Sequence, residues 1–255
     1  MLKDRLVDLL RTTLPKGVRR SWVNVGFNLD RGQFQELATK YLHAPDMRLG
    51  LEFLATRGFA PETILDIGAF EGNWAKMAMA VWPAAKLVLV EANPAKVTLL
   101  QSDRDLRDAT VIQTLLGPKE ALVPFHIMES GSSVFEENSP LDRKRVSLKQ
   151  RRLDDLGLGA DFIKIDVQGY ELEVLKGGME TLAKATAVLI ELSLIEINQG
   201  CPLLHEALGF MHGAGFVAYD ILELHRRPLD GAMNQIDVLF LREDSPLRSD
   251  KRHWA

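Results

Sequence analysis

From Pro61 onward, short apolar or β-branched runs alternate with stretches of helical periodicity, and no other property of the sequence constrains the fold as strongly. Residues 63–67 and 86–90 read as strands, and between them 73–82 reads as a helix that Pro83 ends. A strand, a helix and a second strand in so short a span are the signature of a parallel sheet covered on both faces. A further helix follows Asn93-Pro94, which supply a cap and a proline for its first turn, and 110–115 is read as a third strand. The pattern resumes with a strand at 162–166, a helix from 170 to 176 and a strand at 187–191. A helix over 203–212 and strands at 216–219 and 235–241 complete it. Between 118 and 152 the alternation is interrupted by two strand-like segments, 121–128 and 145–150, joined by a polar stretch at 129–142 long enough to cover a site.

A length of 255 residues, 46% of them hydrophobic and 26% charged, suits one α/β domain with a modest extension. The expected organisation is an N-terminal helical extension over 1–60, a doubly wound domain over 61–243 and a loose polar tail over 244–255. Leu2, Leu6, Leu9 and Leu10 fall at helical spacing, so a first helix is expected to dock on the domain or on a second copy in a homodimer. A second helix is expected over 46–57, between Asp46 as N-cap and Gly58 as stop. The formal charge of -4 argues against a surface built for nucleic acid. No apolar run approaches the roughly 20 residues of a membrane span, and the first ten residues lack the apolar centre of a signal peptide, so a cytoplasmic location is expected. Cys201 is the sole cysteine, which leaves no intrachain disulfide and no cysteine-rich metal site.

Asp66-x-Gly68-x-x-x-Gly72 lies directly after a strand and before a helix, where glycines let backbone amides approach a ligand. Glu91 closes the next strand, a position that faces the crevice of a doubly wound sheet and suits the two hydroxyls of a ribose; Asn93 lies beside it. A dinucleotide loop wants Gly-x-Gly-x-x-Gly. Here Phe70 and Glu71 stand inside the loop, and Glu71 would repel a diphosphate. S-adenosylmethionine carries no phosphate and brings cationic ammonium and sulfonium groups, so an acidic loop fits it, with Asp66 suited to the ammonium. A glycine loop with no ligand is the plainer alternative.

In the strand Phe162-Ile-Lys-Ile-Asp166, alternation places Lys164 and Asp166 on one face. A lysine inside an apolar strand must find a partner, because burying an unpaired ammonium is costly. Glu191 ends the neighbouring strand, so Lys164, Asp166 and Glu191 are expected to converge on the crevice. There Asp166 would orient an acceptor or take its proton while Lys164 tunes it; a network that only anchors the sheet is the alternative. Gln168, Ser132 and Ser133 are candidate substrate contacts, although serines on an exposed loop and a glycine-bearing helix start are common without ligands. His126 reads as a core or edge histidine. His205 and His212 share a helix at a spacing of seven without a matching acid pair, so no metal site is expected.

Leu65-Asp-Ile-Gly-Ala-Phe-Glu-Gly72, Val90-Glu-Ala-Asn-Pro94, Gly131-Ser-Ser133, Arg152-Leu-Asp-Asp155, the run from Phe162 to Gly178 and Asp237-Val-Leu-Phe240 together resemble the FkbM family of S-adenosylmethionine-dependent methyltransferases. The likeness covers roughly residues 60 to 242 and is most specific from Lys164 to Gly178. It implies a class I methyltransferase fold, Rossmann-like, with a mostly parallel seven-stranded sheet. It also implies O-methylation of a hydroxyl on a small molecule, sugar or glycan. By position it carries cofactor roles to Asp66, Gly68, Gly72 and Glu91, and a site role to Asp166. Phe70-Glu71 depart from the family's usual loop, and the third strand ends without an obvious polar partner for adenine. A non-catalytic cofactor-binding module and a nicotinamide dehydrogenase are the competing readings.

Overall fold

The computed structural model describes residues 45–129 and 131–253, together with residues 15, 17, 18, 21, 30, 32 and 33. The chain divides into two compact units, Met1–Asp46 and Met47–Ala255. In the first, Gln33 donates its backbone N–H to the Asp30 carboxylate at 2.9 Å, the bond of a helix N-cap. The leucine-striped helix expected over residues 2–10, and the dimer contact assigned to it, lie outside the described residues.

The second unit begins with helix α1 (Met47–Thr56), which buries Met47, Leu51 and Leu54. These side chains belong to a core of this unit. Strand β1 (Thr63–Ile67), helix α2 (Asn73–Val81), strand β2 (Lys86–Glu91), helix α3 (Pro94–Ser102) and strand β3 (Thr110–Gln113) follow. After them come β4 (Leu115–Leu116), β5 (Ala121–Ile127), β6 (Lys144–Arg151) and β7 (Phe162–Ile165). Helices α4 (Glu171–Lys176) and α5 (Met179–Lys184), strand β8 (Ala187–Ser193), helix α6 (Leu204–Gly213) and strands β9 (Phe216–Arg226) and β10 (Met233–Arg242) complete the unit.

The main sheet has seven strands in the order β3-β2-β1-β7-β8-β10-β9. It is parallel except for β10, which runs antiparallel to both β8 and β9. This is the doubly wound, mostly parallel class I methyltransferase arrangement that the resemblance implies. The order reverses between β1 and β7, so their carboxyl ends open a crevice at the topological switch point. On one face Ile163, Ile165, Val188 and Ile190 meet Leu172, Val174 and Leu175 of α4 and Met211 of α6. On the other Ile64, Phe162, Leu189 and Leu239 meet α1 and α2. Phe162 is ringed edge-on by Phe59, Trp74 and Trp82 at centroid distances of 5.6, 5.8 and 5.6 Å.

Three elements differ from the sequence reading, each for a local reason. The expected strand over 110–115 breaks at Thr114, whose N–H bonds the Glu91 carbonyl at 3.0 Å, and β4 then leaves to join β5 and β6 in a separate three-stranded sheet. Strand β9 runs to Arg226, well past residue 219, because it is an edge strand whose exposed Asp220 and half-buried Glu223 and His225 break the apolar pattern. Helix α5 was not foreseen because its cap comes from far along the chain: the Asp154 carboxylate accepts the Thr181 N–H and hydroxyl, both at 2.9 Å. In the polar tail, Leu247 packs against the core.

Candidate active site

The loop after β1 is built on positive φ angles. Gly68 sits at φ +82°, where an added Cβ would lie 1.8 Å from the Asp166 carbonyl oxygen, so only glycine lets this turn touch the end of β7. Phe70 holds φ +50°, a strained value for a residue with a side chain. It is pinned there by Glu91, whose Oε2 accepts the Phe70 N–H at 2.9 Å while Oε1 accepts the Asn93 N–H at 2.7 Å. Burial pushes the Glu91 carboxyl up, and the backbone donors pull it back in part. Asn93 in turn caps α3 by accepting the Ala95 N–H at 3.1 Å. Glu71 turns outward to Lys96, 2.5 Å from its ammonium, which also sits 3.9 Å from the centre of the Phe70 ring. Phe70 and Lys96 line the adjoining cavity, and Glu71, Asp66 and Gly72 are not among its lining residues.

At the end of β7 the charged side chains converge as the alternation predicts. The Lys164 ammonium lies 3.0 Å from Asp166 Oδ2 and 3.6 Å from Asp66 Oδ1. Burial disfavours that ammonium, but Asp166 and Asp66 overcome it and hold Lys164 well above its ordinary range. Asp66 is fully buried, and neither of its oxygens has a hydrogen-bond partner among the described residues. Desolvation raises its pKa to about 6, against the pull of Lys164. For Asp166 the balance is reversed: burial pushes its carboxyl up, yet Lys164 and the Gln168 amide hold it below the usual carboxylate value.

Gln168, at φ +56°, is the hinge of this edge. Its Nε2 donates to Asp166 Oδ1 at 2.8 Å and to Glu191 Oε2 at 2.9 Å, and Gln235 Nε2 reaches the same Glu191 oxygen at 2.7 Å. Burial, with Asp166 and Asp237 nearby, pushes the Glu191 carboxyl well above its ordinary value. Beyond it, His225 Nε2 lies 2.8 Å from Asp237 Oδ2 and 3.8 Å from Glu191 Oε1. The hydrogen bond to Asp237 raises the His225 pKa. Gln235 and His225 carry no motif in the sequence, and Asp237 belongs to the run Asp237-Val-Leu-Phe240 without a site role expected of it. Asp237 had the signal that exposed Lys164, a lone charge in an apolar strand; His225 had none.

A cavity of about 220 Å³ connects the two halves. Glu91, Ala92 and Asn93 border one side and Asp166, Val167 and Gln168 another. Leu115, Leu116, Phe125 and Val134 give it an apolar wall, which suits a flat ring at the strand end where the sequence offered no polar partner. The polar stretch at 129–142 reaches this rim. Ser132 lines the cavity with its hydroxyl bonded to the Met128 backbone, donating to the carbonyl at 3.1 Å and accepting from the N–H at 3.0 Å. Ser133 is turned inward: its hydroxyl donates to the Gln168 carbonyl at 2.7 Å and accepts the Phe135 N–H at 3.1 Å. His126 is buried in β5, and His205 and His212 lie exposed on α6. Cys201 is buried against Gly169, and burial raises its thiol pKa.

Comparison with known proteins places this geometry in context. Residues 66–218 match the family model described as the methyltransferase FkbM domain. A curated relative, the 2-O-methyltransferase NoeI of Sinorhizobium fredii (strain NBRC 101917 / NGR234), is 27% identical, the alignment covering 54% of this chain and 65% of that protein. The chain thus spans just under two thirds of that relative's length. Similar solved structures include a precorrin-6y C5,15-methyltransferase from Geobacter metallireducens GS-15, with a TM-score of 0.45 and 12% identity over 76% of this chain and 86% of that one. A ribosomal protein L11 methylase from Lactobacillus delbrueckii subsp. bulgaricus has a TM-score of 0.47 and 13% identity over 77% of each chain.

Proposed function

The chain belongs to the FkbM methyltransferase family, and we propose that it transfers a methyl group from S-adenosylmethionine to a hydroxyl of a small molecule, sugar or glycan. One observation carries this reading: Asp166, tied to Lys164 and Gln168, borders the same cavity as Glu91. The donor set fits a cationic, phosphate-free cofactor. Two carboxylates face the space, an apolar wall lies beside them, and Lys96, a cation on its rim, is paired with Glu71.

Bound there, S-adenosylmethionine supplies a methyl group on a positively charged sulfur. Glu91 would hold ribose hydroxyls, since each of its oxygens accepts one backbone N–H and keeps a second lone pair. Asp166, held ionised by Lys164, is a weak base and a strong acceptor, so its role is to orient the acceptor hydroxyl and to face developing positive charge. Lys164 and the buried Asp66 hold Asp166 from behind rather than touching substrate. The name of the NoeI relative, a 2-O-methyltransferase, supports a hydroxyl acceptor.

The test is calorimetric binding of S-adenosylhomocysteine together with turnover on a panel of hydroxylated acceptors. Asp166→Asn is expected to keep binding and to lose about 10²-fold in kcat, the loss that goes with a misoriented acceptor. Unchanged turnover in the variant removes Asp166 from the mechanism. Intact binding in the wild type with no turnover on any acceptor favours the non-catalytic module instead.

A further inference from the structure

We propose that Glu191, His225 and Asp237 form a binding site for one divalent transition-metal ion beside the cavity. The three come from three adjacent strands, and the sheet register brings them to one face. Glu191 stands directly opposite Asp237 across the β8/β10 pair. Across β10/β9, Asp237 pairs with Glu223 while Val238 pairs with Ile221, so Leu222 is an extra residue in β9. This bulge resets the alternation of β9 and places His225, opposite Gln235, on the face that carries Asp237.

The donor set meets the requirements of a metal centre. One imidazole nitrogen and two carboxylate oxygens lie within 4.8 Å of one another. Donors about 2.0–2.2 Å from a common ion are about 3 to 3.6 Å apart, and the two His225 Nε2 distances, 2.8 Å to Asp237 and 3.8 Å to Glu191, bracket that range. A mixed nitrogen and oxygen set suits manganese or zinc better than calcium or magnesium, which prefer oxygen alone. Glu191 is already oriented: Gln168 and Gln235 both donate to Oε2, which presents Oε1 toward His225. Asp237 and Glu191 are nearly buried, with 6% and 10% of their side chains exposed, whereas His225 is 34% exposed and gives an ion its way in. The local charge also calls for a cation. Asp66 and Asp237 are buried, Glu191 is nearly so and Asp166 is half-buried, and among the described residues the Lys164 ammonium lies between Asp66 and Asp166.

Three protein donors leave coordination positions open to water or to an acceptor oxygen. Ion binding itself does not rest on methyl transfer, so the two readings fail separately. The full chain is titrated by calorimetry with ZnCl2 and with MnCl2, and each variant is also checked for S-adenosylhomocysteine binding and by circular dichroism. Saturable uptake of one ion per chain is expected. His225→Gln and Asp237→Asn should each weaken it at least tenfold, and His212→Gln, on α6, should leave it unchanged. No saturable uptake, or uptake that His225→Gln leaves intact, overturns the site and leaves His225 and Asp237 as a hydrogen-bonded pair. Should His225→Gln fail to fold, zinc must slow the modification of His225 by diethyl pyrocarbonate in the wild type, and an unchanged rate counts against the proposal. Loss of S-adenosylhomocysteine binding with normal ion uptake would instead tell against the proposed cofactor.

Discussion

Asp66 is a carboxylate enclosed in protein without a hydrogen bond among the described residues, and such a group works against folding whenever it is ionised. Its pKa is raised from 3.8 to about 6 on folding. Between those values the native chain binds more protons than the unfolded one, so stability falls as pH rises through this window. Asp66→Asn is therefore expected to raise the unfolding free energy at pH 7 by about 3 kcal/mol, with the gain vanishing near pH 4. Urea denaturation of both proteins across pH 4 to 8 measures it, and a pH-independent difference would contradict the assignment. Asp66, Lys164, Asp166 and Glu91 were all legible as chemistry because each is a charge where an apolar strand should be uniform. What the sequence did not disclose is the direction of each side chain. Asp66 points to Lys164 rather than into the cavity, and Glu71 points out to Lys96.

At the level of the element, the segment 129–142 is tied to the site by Ser133 and by Phe135, whose ring packs edge-on against Tyr170 at 5.2 Å. Ser133 joins it to the strained Gln168, so this loop and the turn after β7 share a single hydroxyl. Ser133→Ala removes a buried donor and acceptor and is expected to cost about 1 to 3 kcal/mol. The sharper expectation is local: faster amide exchange at Phe135 and weaker S-adenosylhomocysteine binding, with exchange in β1 and β2 unchanged. Uniformly faster exchange across the domain would point to general destabilisation instead. Periodicity found β1, β2, β5, β6, β7, β8 and β10 because their apolar patterns are set by the core. It failed at β9, where a bulge resets the alternation, and at α5, where the cap comes from Asp154.

For the whole molecule, the crevice sits where the two halves of the sheet diverge, and a ligand there touches both. β1 and β2 contribute the glycine loop and Glu91, and β7 contributes Asp166 and Gln168. Ligand binding should thus stabilise the domain as one unit. At a hundred times its dissociation constant, S-adenosylhomocysteine is expected to add about 2.7 kcal/mol, which for a chain of this size raises Tm by about 5 to 10 °C. NAD at the same concentration is expected to leave Tm unmoved, and a shift with NAD but none with S-adenosylhomocysteine would favour the dehydrogenase reading. The doubly wound class was legible because it needs only the alternation of strands and helices. The three-stranded side sheet was less so, since Thr114 breaks one apolar run into strands of two different sheets.

The central pairing of β1 with β7 has a temporal consequence. The backbone N–H of Thr63 bonds the Asp161 side chain 98 positions away, and the strands that begin there lie side by side. Closing so long a span is slow, because the entropy of the intervening chain must be surrendered before the contact repays it. A ribosome releases the glycine loop and Glu91 long before Asp166, so for much of synthesis the growing chain carries only one side of the cavity. Trp74 and Trp82, which close on Phe162 only when β7 arrives, are built-in fluorescent clocks for the moment the two halves meet.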